Sequence, residues 1–232
     1  MPNKDKPLQI AIDGPVASGK GDIATRLSKK FNLLYIYTGA MYRALALACI
    51  ENNLGFKDKN QVIKLLRKTS ISLVQPEKKS DKSYKVLLNG RDVTERVMLQ
   101  DVAMGTSDVS TLPEVRVYMV EKQQELASGN CVVMEGRDIG LRVLPQAQLK
   151  IFLTATPEVR ARRRFRQWQE IGINKSYEET LEDTIERDRQ DTTRDTDPLQ
   201  KLPDAWLLDT TGLNQSEVVG VIEKELEKRG LL

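Results

Sequence analysis

Residues Leu8–Ile23 read "LQIAIDGPVASGKGDI". An apolar run of strand character ends at Asp13, a glycine-rich loop closes on Lys20, and from Ile23 the pattern turns helical. The spacing Gly14-x4-Gly19-Lys20 lets successive backbone N–H groups turn inward around an anion. The following helix presents its positive end, and a lysine placed here reaches terminal phosphates. The loop Gly14, Pro15, Val16, Ala17, Ser18, Gly19, Lys20 and Gly21 therefore reads as a phosphate grip. The bland alternative is a strand-to-helix turn with no ligand, but strand before and helix after is the context the pattern requires. Position 21 is glycine, where many such loops carry a magnesium-binding Ser or Thr, and Asp22 sets a carboxylate beside the anion.

Outward from this loop, five short apolar runs read as buried parallel strands: "LQIAID", "LLYIY", "CVVME", "LKIFLT" and "AWLLD". Near-continuous hydrophobicity is expected where helices cover both faces of a sheet. Helical patterns separate them, including Ile23–Phe31, Tyr42–Ile50 and "LPEVRVYMVEKQQELASG", with Pro113 at its start and Gly129 beyond its end. The alternation predicts an α/β fold with a doubly wound five-stranded parallel sheet. Two segments break it. "SISLVQPEKKSDKSYKVLLNGRDVTE" reads as two strands joined by a polar, lysine-rich turn, a small β-rich insertion. From Pro157 to Thr196, arginines and acids dominate, giving two exposed helices that meet near "IGINKSYEE". The expected organisation is one domain over 1–232, with a core at about 7–50, 100–156 and 201–232, the insertion at about 51–99, and the arm at about 157–200.

Composition narrows the chemistry. At 232 residues and 40% apolar content, the chain can bury one sizeable core. A net charge of +3 argues against a dedicated nucleic-acid or membrane-surface protein. Cys49 and Cys131 are too few for a disulfide framework, and with no histidine a His/Cys metal site lacks material. The absent histidine also removes the usual general base near neutral pH. The N-terminus has no signal-like apolar stretch, and no run approaches the roughly 20 apolar residues of a membrane span, so a reduced, cytoplasmic protein is expected. No exposed apolar helix face stands out, which favours a monomer.

Three further stretches carry charge at positions where it is costly or useful. "YTGAMYR", Tyr37–Arg43, lies at the end of the second strand, where α/β sheets place ligands. Thr38 and Arg43 there fit a second phosphate-bearing molecule, or equally a helix N-cap with a solvated arginine. "MEGRDIG", Met134–Gly140, ends a buried strand with two acids and an arginine, which are expensive to bury alone. Arg137 would meet phosphate and Asp138 would accept hydrogen bonds, or the group would form a local ion pair. In the arm, "RARRRFRQWQ" and "ERDRQDTTR" offer bidentate phosphate recognition on a mobile lid. Most of these arginines would otherwise be a solvated, salt-bridged face. Interleaved acids argue against a phosphate-tracking RNA surface.

Taken together, "IAIDGPVASGKG", "TGAMYRALA", "NGRDVT", "GRDIG", "KIFLTATPEVRARRR", "ERDRQDTTR" and "LLDTTGL" resemble the bacterial cytidylate kinases, members of the nucleoside monophosphate kinase family. The resemblance runs from Leu8 to the C-terminal helix. It implies transfer of the γ-phosphate of ATP to CMP or dCMP with magnesium, the insertion serving the monophosphate and the arm acting as a helical lid. The loop with Lys20 and Asp22 would hold ATP, approached by Arg160 and Arg163. Arg43, Arg137 and Arg194 would grip the acceptor phosphate, with Arg187 adjoining and Thr38 nearby. Ser107, Arg116 and Asp138 would meet cytosine, and Asp191 a ribose hydroxyl. Lys20, Arg137, Arg187 and Arg194 would carry catalysis by alignment and charge neutralisation, which needs no strong base. Asp13 and Glu135 are the candidates for the magnesium water shell. Two other readings remain: a kinase of this fold for UMP or a non-nucleotide alcohol, and a nucleic-acid-binding protein that retains the loop.

The chain departs from the family pattern at Asp22, usually Thr or Ser, at Tyr37, usually Asp, and at Leu141, usually Thr. Asp22 matters most, because a hydroxyl donates to phosphate whereas a carboxylate only accepts. An acid in a helix's first turn gains about 0.3–1 kcal/mol from the dipole. A like charge about 4 Å from phosphate costs from about 1 to about 4 kcal/mol, depending on the effective dielectric. The expectation is weakened ATP binding unless Asp22 turns away or meets a cation.

Overall fold

A computed structural model describes residues 6–74 and 84–232. In chain order the elements are β1 (Gln9–Asp13), α1 (Lys20–Phe31), β2 (Leu34–Tyr37), α2 (Thr38–Glu51), α3 (Lys59–Leu66), β3 (Ile71–Val74), β4 (Lys85–Leu88) and β5 (Arg91–Asp92). After a 3-10 turn at Arg96–Met98 come α4 (Gln100–Ser110), α5 (Pro113–Ala127) and β6 (Val132–Gly136). A π-helical turn (Ile139–Val143) leads to β7 (Leu149–Thr154), α6 (Pro157–Glu170), α7 (Tyr177–Thr193), β8 (Trp206–Asp209) and α8 (Gln215–Lys228). The main sheet has the order β2-β6-β1-β7-β8, and each of the five expected apolar runs supplies one strand. The chain groups into two compact units, one of residues up to Leu33 with Gly129–Leu232, the other Leu34–Ser128.

In the first unit, β1 lies between β6 and β7, all parallel, with Asp13 opposite Gly136 on one side and Phe152 on the other. β8 continues the sheet with Thr154 opposite Asp209. The carboxyl ends therefore line up, so the loop after β1, the "GRDIG" segment after β6, the start of α6 after β7 and Thr210 after β8 share one edge of the sheet. Helix α1 buries Ile23, Ala24 and Leu27 on one face and ends at Asn32 in the left-handed conformation. Thr156 caps α6 ahead of Pro157, and reciprocal capping boxes start α7 (Ser176 with Glu179) and α8 (Asn214 with Glu217).

In the second unit, α2 is apolar nearly all round, burying Ala40, Met41, Ala44, Leu45, Leu47 and Ala48. It packs against α4, and α4 and α5 pack on each other. The insertion holds a three-stranded antiparallel sheet, β3-β4-β5, rather than the two strands expected. The third strand arises from Asn89-Gly90, whose positive φ angles of 51° and 80° make a tight hairpin turn. The lysine-rich turn expected between the first two strands lies outside the described residues.

Candidate functional site

Gly14 is required by space. A Cβ there would stand 2.0 Å from the Leu153 carbonyl oxygen of β7. Gly19 (φ 91°) caps α1, and Ala17 holds a left-handed φ of 56° without being glycine, a strain of about 1–2 kcal/mol concentrated in this loop. The loop thus bends sharply between a central strand and a helix N-terminus.

Lys20 sits 5% exposed inside this bend. Its Nζ donates to the Pro15 carbonyl at 2.7 Å and to Ser18 Oγ at 3.4 Å. Burial pushes its ammonium down to about 7, and the Arg137 guanidinium adds to the effect, while Glu135, Asp191 and Asp13 oppose it. Asp13 accepts from the backbone N–H groups of Ile139 and Gly140, both at 2.8 Å, which ties the end of β1 to the π-helical turn. Burial raises its carboxyl to about 6 against those two hydrogen bonds. Glu135 is also buried, and β1–β6 register sets it opposite Ile12, one residue before Asp13.

The acceptor-side residues expected in this unit form a connected charge cluster. Arg137 Nε donates to Asp191 Oδ2 at 2.6 Å, and Arg187 lies 3.5 Å from the other Asp191 oxygen. Burial works to raise the Asp191 carboxyl, but Arg137, Arg187 and Arg194 together hold it below the ordinary carboxylate value. Arg194 stands 4.0 Å from Asp138 Oδ1 and donates to the Asp197 carbonyl, while the Asp197 carboxylate pairs with Arg142.

Arg163 donates to the Ser18 carbonyl at 3.3 Å and to the Thr210 hydroxyl and carbonyl at 3.1 and 2.8 Å. It thereby bridges the loop and the end of β8. Arg160, expected to approach ATP, bonds here to protein acceptors on three segments. Its Nε donates to the Ala155 carbonyl at 2.8 Å, Nη1 to the Val16 carbonyl at 3.2 Å, and Nη2 pairs with Asp188 at 2.6 Å. Asp22 is exposed and accepts from Gln215 Nε2 at 3.1 Å, and Gln215 Oε1 accepts from Arg26 at 2.6 Å.

Thr38, Arg43, Ser107 and Arg116 belong to the second unit. Thr38 is the first residue of α2, buried and not a side-chain cap, since the N-cap is Tyr37. Arg43 donates to the Val97 carbonyl at 2.9 Å, and Arg116 is buried with Nη1 3.3 Å from the Ser110 carbonyl. Ser107 on α4 completes three mutually packed helices, α2, α4 and α5, each carrying one of Arg43, Ser107 and Arg116.

Sequence reasoning did not single out Asp188, Thr210, Asp197 or Gln215. Asp188 had a visible signal, because it precedes Asp191 by one helical turn on α7. Gln215 had none, since its partner Asp22 is distant in the chain. Among the described residues, no helix is long and apolar enough to cross a membrane, and no group of three or more His, Cys, Asp or Glu is placed to hold a metal ion.

The cytidylate kinase family model matches residues 10–228. A cytidylate kinase of Carboxydothermus hydrogenoformans is 47% identical over 212 residues, covering 91% of this chain and 94% of that protein. A cytidylate kinase of Caldicellulosiruptor bescii is 43% identical over 222 residues, covering 96% and 95%. An uncharacterized protein of Eubacterium ventriosum shares the fold at a TM-score of 0.53 and 13% identity, covering 96% of this chain and 99% of that one. With its phosphate loop, its arginine–aspartate cluster and its full-length match, the chain belongs to the cytidylate kinase family.

Proposed function

We propose that the chain transfers the γ-phosphoryl group of ATP to CMP or dCMP, giving ADP and CDP or dCDP, with roles divided as follows. The loop Gly14–Gly21 and Lys20 hold the ATP phosphates, with Arg163 flanking them. Arg137, Arg187 and Arg194 receive the acceptor phosphate, Asp138 reads the cytosine amino group, and Asp191 takes a ribose hydroxyl. For Thr38, Arg43, Ser107 and Arg116 of the second unit, the family match supports a role in binding the acceptor. The observation that carries this reading is geometric: β1 and β6 are adjacent, with Asp13 opposite Gly136. The loop bearing Lys20 and the segment bearing Arg137, which is bonded to Asp191, therefore leave the sheet side by side, and the charges of Arg137 and Asp191 act on Lys20. The lysine on the donor loop and the arginine–aspartate pair on the acceptor side therefore act on one small volume.

Phosphoryl transfer through a loose transition state needs in-line alignment and neutralisation of charge more than covalent help. Lys20 supplies one cation and Arg137 a second, while the buried setting strengthens both by excluding water. Asp13 and Glu135 offer oxygen ligands on adjacent strands, and each Asp13 oxygen keeps a lone pair beyond its backbone hydrogen bond. This suits magnesium held through waters and nucleotide phosphates rather than in a protein cage, and the ion, when bound, offsets phosphate charge. The arginines of the arm support a small-molecule role over nucleic acid, because Arg160, Arg187 and Arg189 already pair with carboxylates. A cytoplasmic monomer completes the reading.

A coupled assay of ADP formation over CMP, dCMP, UMP and simple alcohols tests the function. UMP lacks the amino donor, and losing that hydrogen bond to Asp138 costs about 1–3 kcal/mol, so its kcat/KM should fall about 5- to 150-fold below that of CMP. Equal rates with UMP, or turnover only with an alcohol, would overturn the assignment.

A further inference from the structure

Arg160 occupies a joint between three segments. Its guanidinium is 4% exposed, and each of its nitrogens is engaged: with the exit of β7 at Ala155, with the phosphate loop at Val16, and with α7 at Asp188. Among the described residues, the other carboxylate oxygen of Asp188, Oδ1, is buried without a hydrogen-bond partner. Its place on α7 is informative. Arg187 adjoins it, and Asp191 follows one turn later on the same helix face, bonded to Arg137. A continuous chain of polar contacts thus runs from the Val16 carbonyl through Arg160 and Asp188 to the helix that carries Asp191.

We infer that Arg160 is a positioning residue that couples the donor-binding loop to the acceptor-binding helix, acting through Val16 and Asp188 without touching either nucleotide. The inference rests on the proposed division of the site into donor and acceptor sides. A shift of the loop on binding triphosphate moves the Val16 carbonyl, and the planar guanidinium passes that displacement to Asp188 because its donors lie in one rigid fork. Lysine, a single point charge on a flexible stem, can satisfy one acceptor but not hold three in fixed relation. The buried pair also gives the device a definite geometry, since Asp188 without Arg160 is an uncompensated charge.

The test compares the full-length wild-type chain with Arg160→Lys and Asp188→Asn. Calorimetry measures CMP affinity alone and with a saturating β,γ-imido analogue of ATP and magnesium, and steady-state assays give kcat and both KM values. Wild type should bind CMP about fivefold or more tightly with the analogue present, the usual scale of such coupling. In both variants that factor should fall to near one and kcat should drop about tenfold or more, while each ligand's separate affinity changes less than about threefold. Should Arg160→Lys fail to fold, Asp188→Asn carries the test, since it keeps the side-chain shape and both Arg160–carbonyl bonds. Loss of analogue affinity by itself, with the coupling factor retained, would make Arg160 an ATP ligand and overturn the inference. So would an unchanged factor in the variants, or none in wild type. Failure of wild type to phosphorylate CMP would instead sink the functional reading.

Discussion

Binding of ATP should draw a proton from solvent at alkaline pH, and Lys20 is the reason. Burial, reinforced by Arg137, holds its ammonium at about 7 in the ligand-free protein. For a base this means that the neutral amine predominates above that value and the ammonium below it. A bound triphosphate reverses the balance, because an adjacent anion favours the charged form. If binding returns the group to the ordinary lysine range, then near pH 8 about a tenth of the molecules carry the charge before binding and nearly all carry it after, an uptake of about 0.9 proton per ATP. Near pH 7 the uptake falls to about a half, and near pH 6 to about a tenth. Competing titrations are silent at the upper pH. Terminal phosphates ionise near 6, and Asp13, raised to about 6, has already lost its proton. Calorimetric titration with the imido analogue, in buffers of different ionisation enthalpy, measures the protons directly. Lys20→Arg stays charged throughout and should show almost none. Uptake below about 0.2 proton in wild type near pH 8, or equal uptake in Lys20→Arg, would refute this account of Lys20.

Three shorter predictions follow from the same geometry. Asp22→Thr should lower the KM for ATP about fivefold, corresponding to about 1 kcal/mol, the low end of the repulsion range, because Gln215 already holds the carboxylate; unchanged ATP kinetics would remove Asp22 from the site. Asp191→Asn should cost about 2–4 kcal/mol of stability near neutral pH, read from denaturant melts, by leaving Arg137 and Arg187 without their carboxylate. Since the arginines depress the Asp191 carboxyl, its stabilisation is present above the ordinary carboxylate value and lost as pH falls through the lower folded value; the variant should lack that acid-side loss. Gly14→Ala should abolish ATP binding and lower stability by about 1–3 kcal/mol or more, because the new methyl meets the Leu153 carbonyl; a stable, nucleotide-binding variant would contradict the packing described for the loop.

The parts of this molecule that could be read early are those whose cause is local. Gly14 and Gly19 announce a loop because the backbone there needs conformations and clearances that a Cβ forbids, and the strands announce themselves because burial on both faces demands unbroken apolar runs. Asn89-Gly90 is equally local, a dipeptide whose positive φ angles specify the turn into β5. What escaped is long-range. That α2, α4 and α5 group with the insertion depends on which apolar faces meet, a choice periodicity does not make. Composition shows only that an arginine stands at position 160. Whether its fork is open or filled depends on Val16, Ala155 and Asp188 arriving together. Asp22 with Gln215 is the same kind of case, a contact between the first turns of two helices remote in the chain.

The arginine–aspartate cluster also bears on selectivity. A chain of net charge +3 gathers Arg137, Arg187 and Arg194 into one cluster, and the cluster is tolerable because Asp191 and Asp138 sit within it. Without those carboxylates the guanidiniums would repel one another in a partly buried setting. An incoming phosphate is thus not meeting bare cations; it shares or displaces carboxylates already in place, so its affinity is a difference between two charge-assisted arrangements. A dianionic phosphate brings more charge and more acceptor oxygens than either carboxylate and can win that exchange. A nucleoside without phosphate cannot, however well its base suits Asp138. On the proposed roles, the cluster screens for the phosphate before the base is read: cytidine should bind far more weakly than CMP, and the carboxylates that balance the arginines also set that threshold.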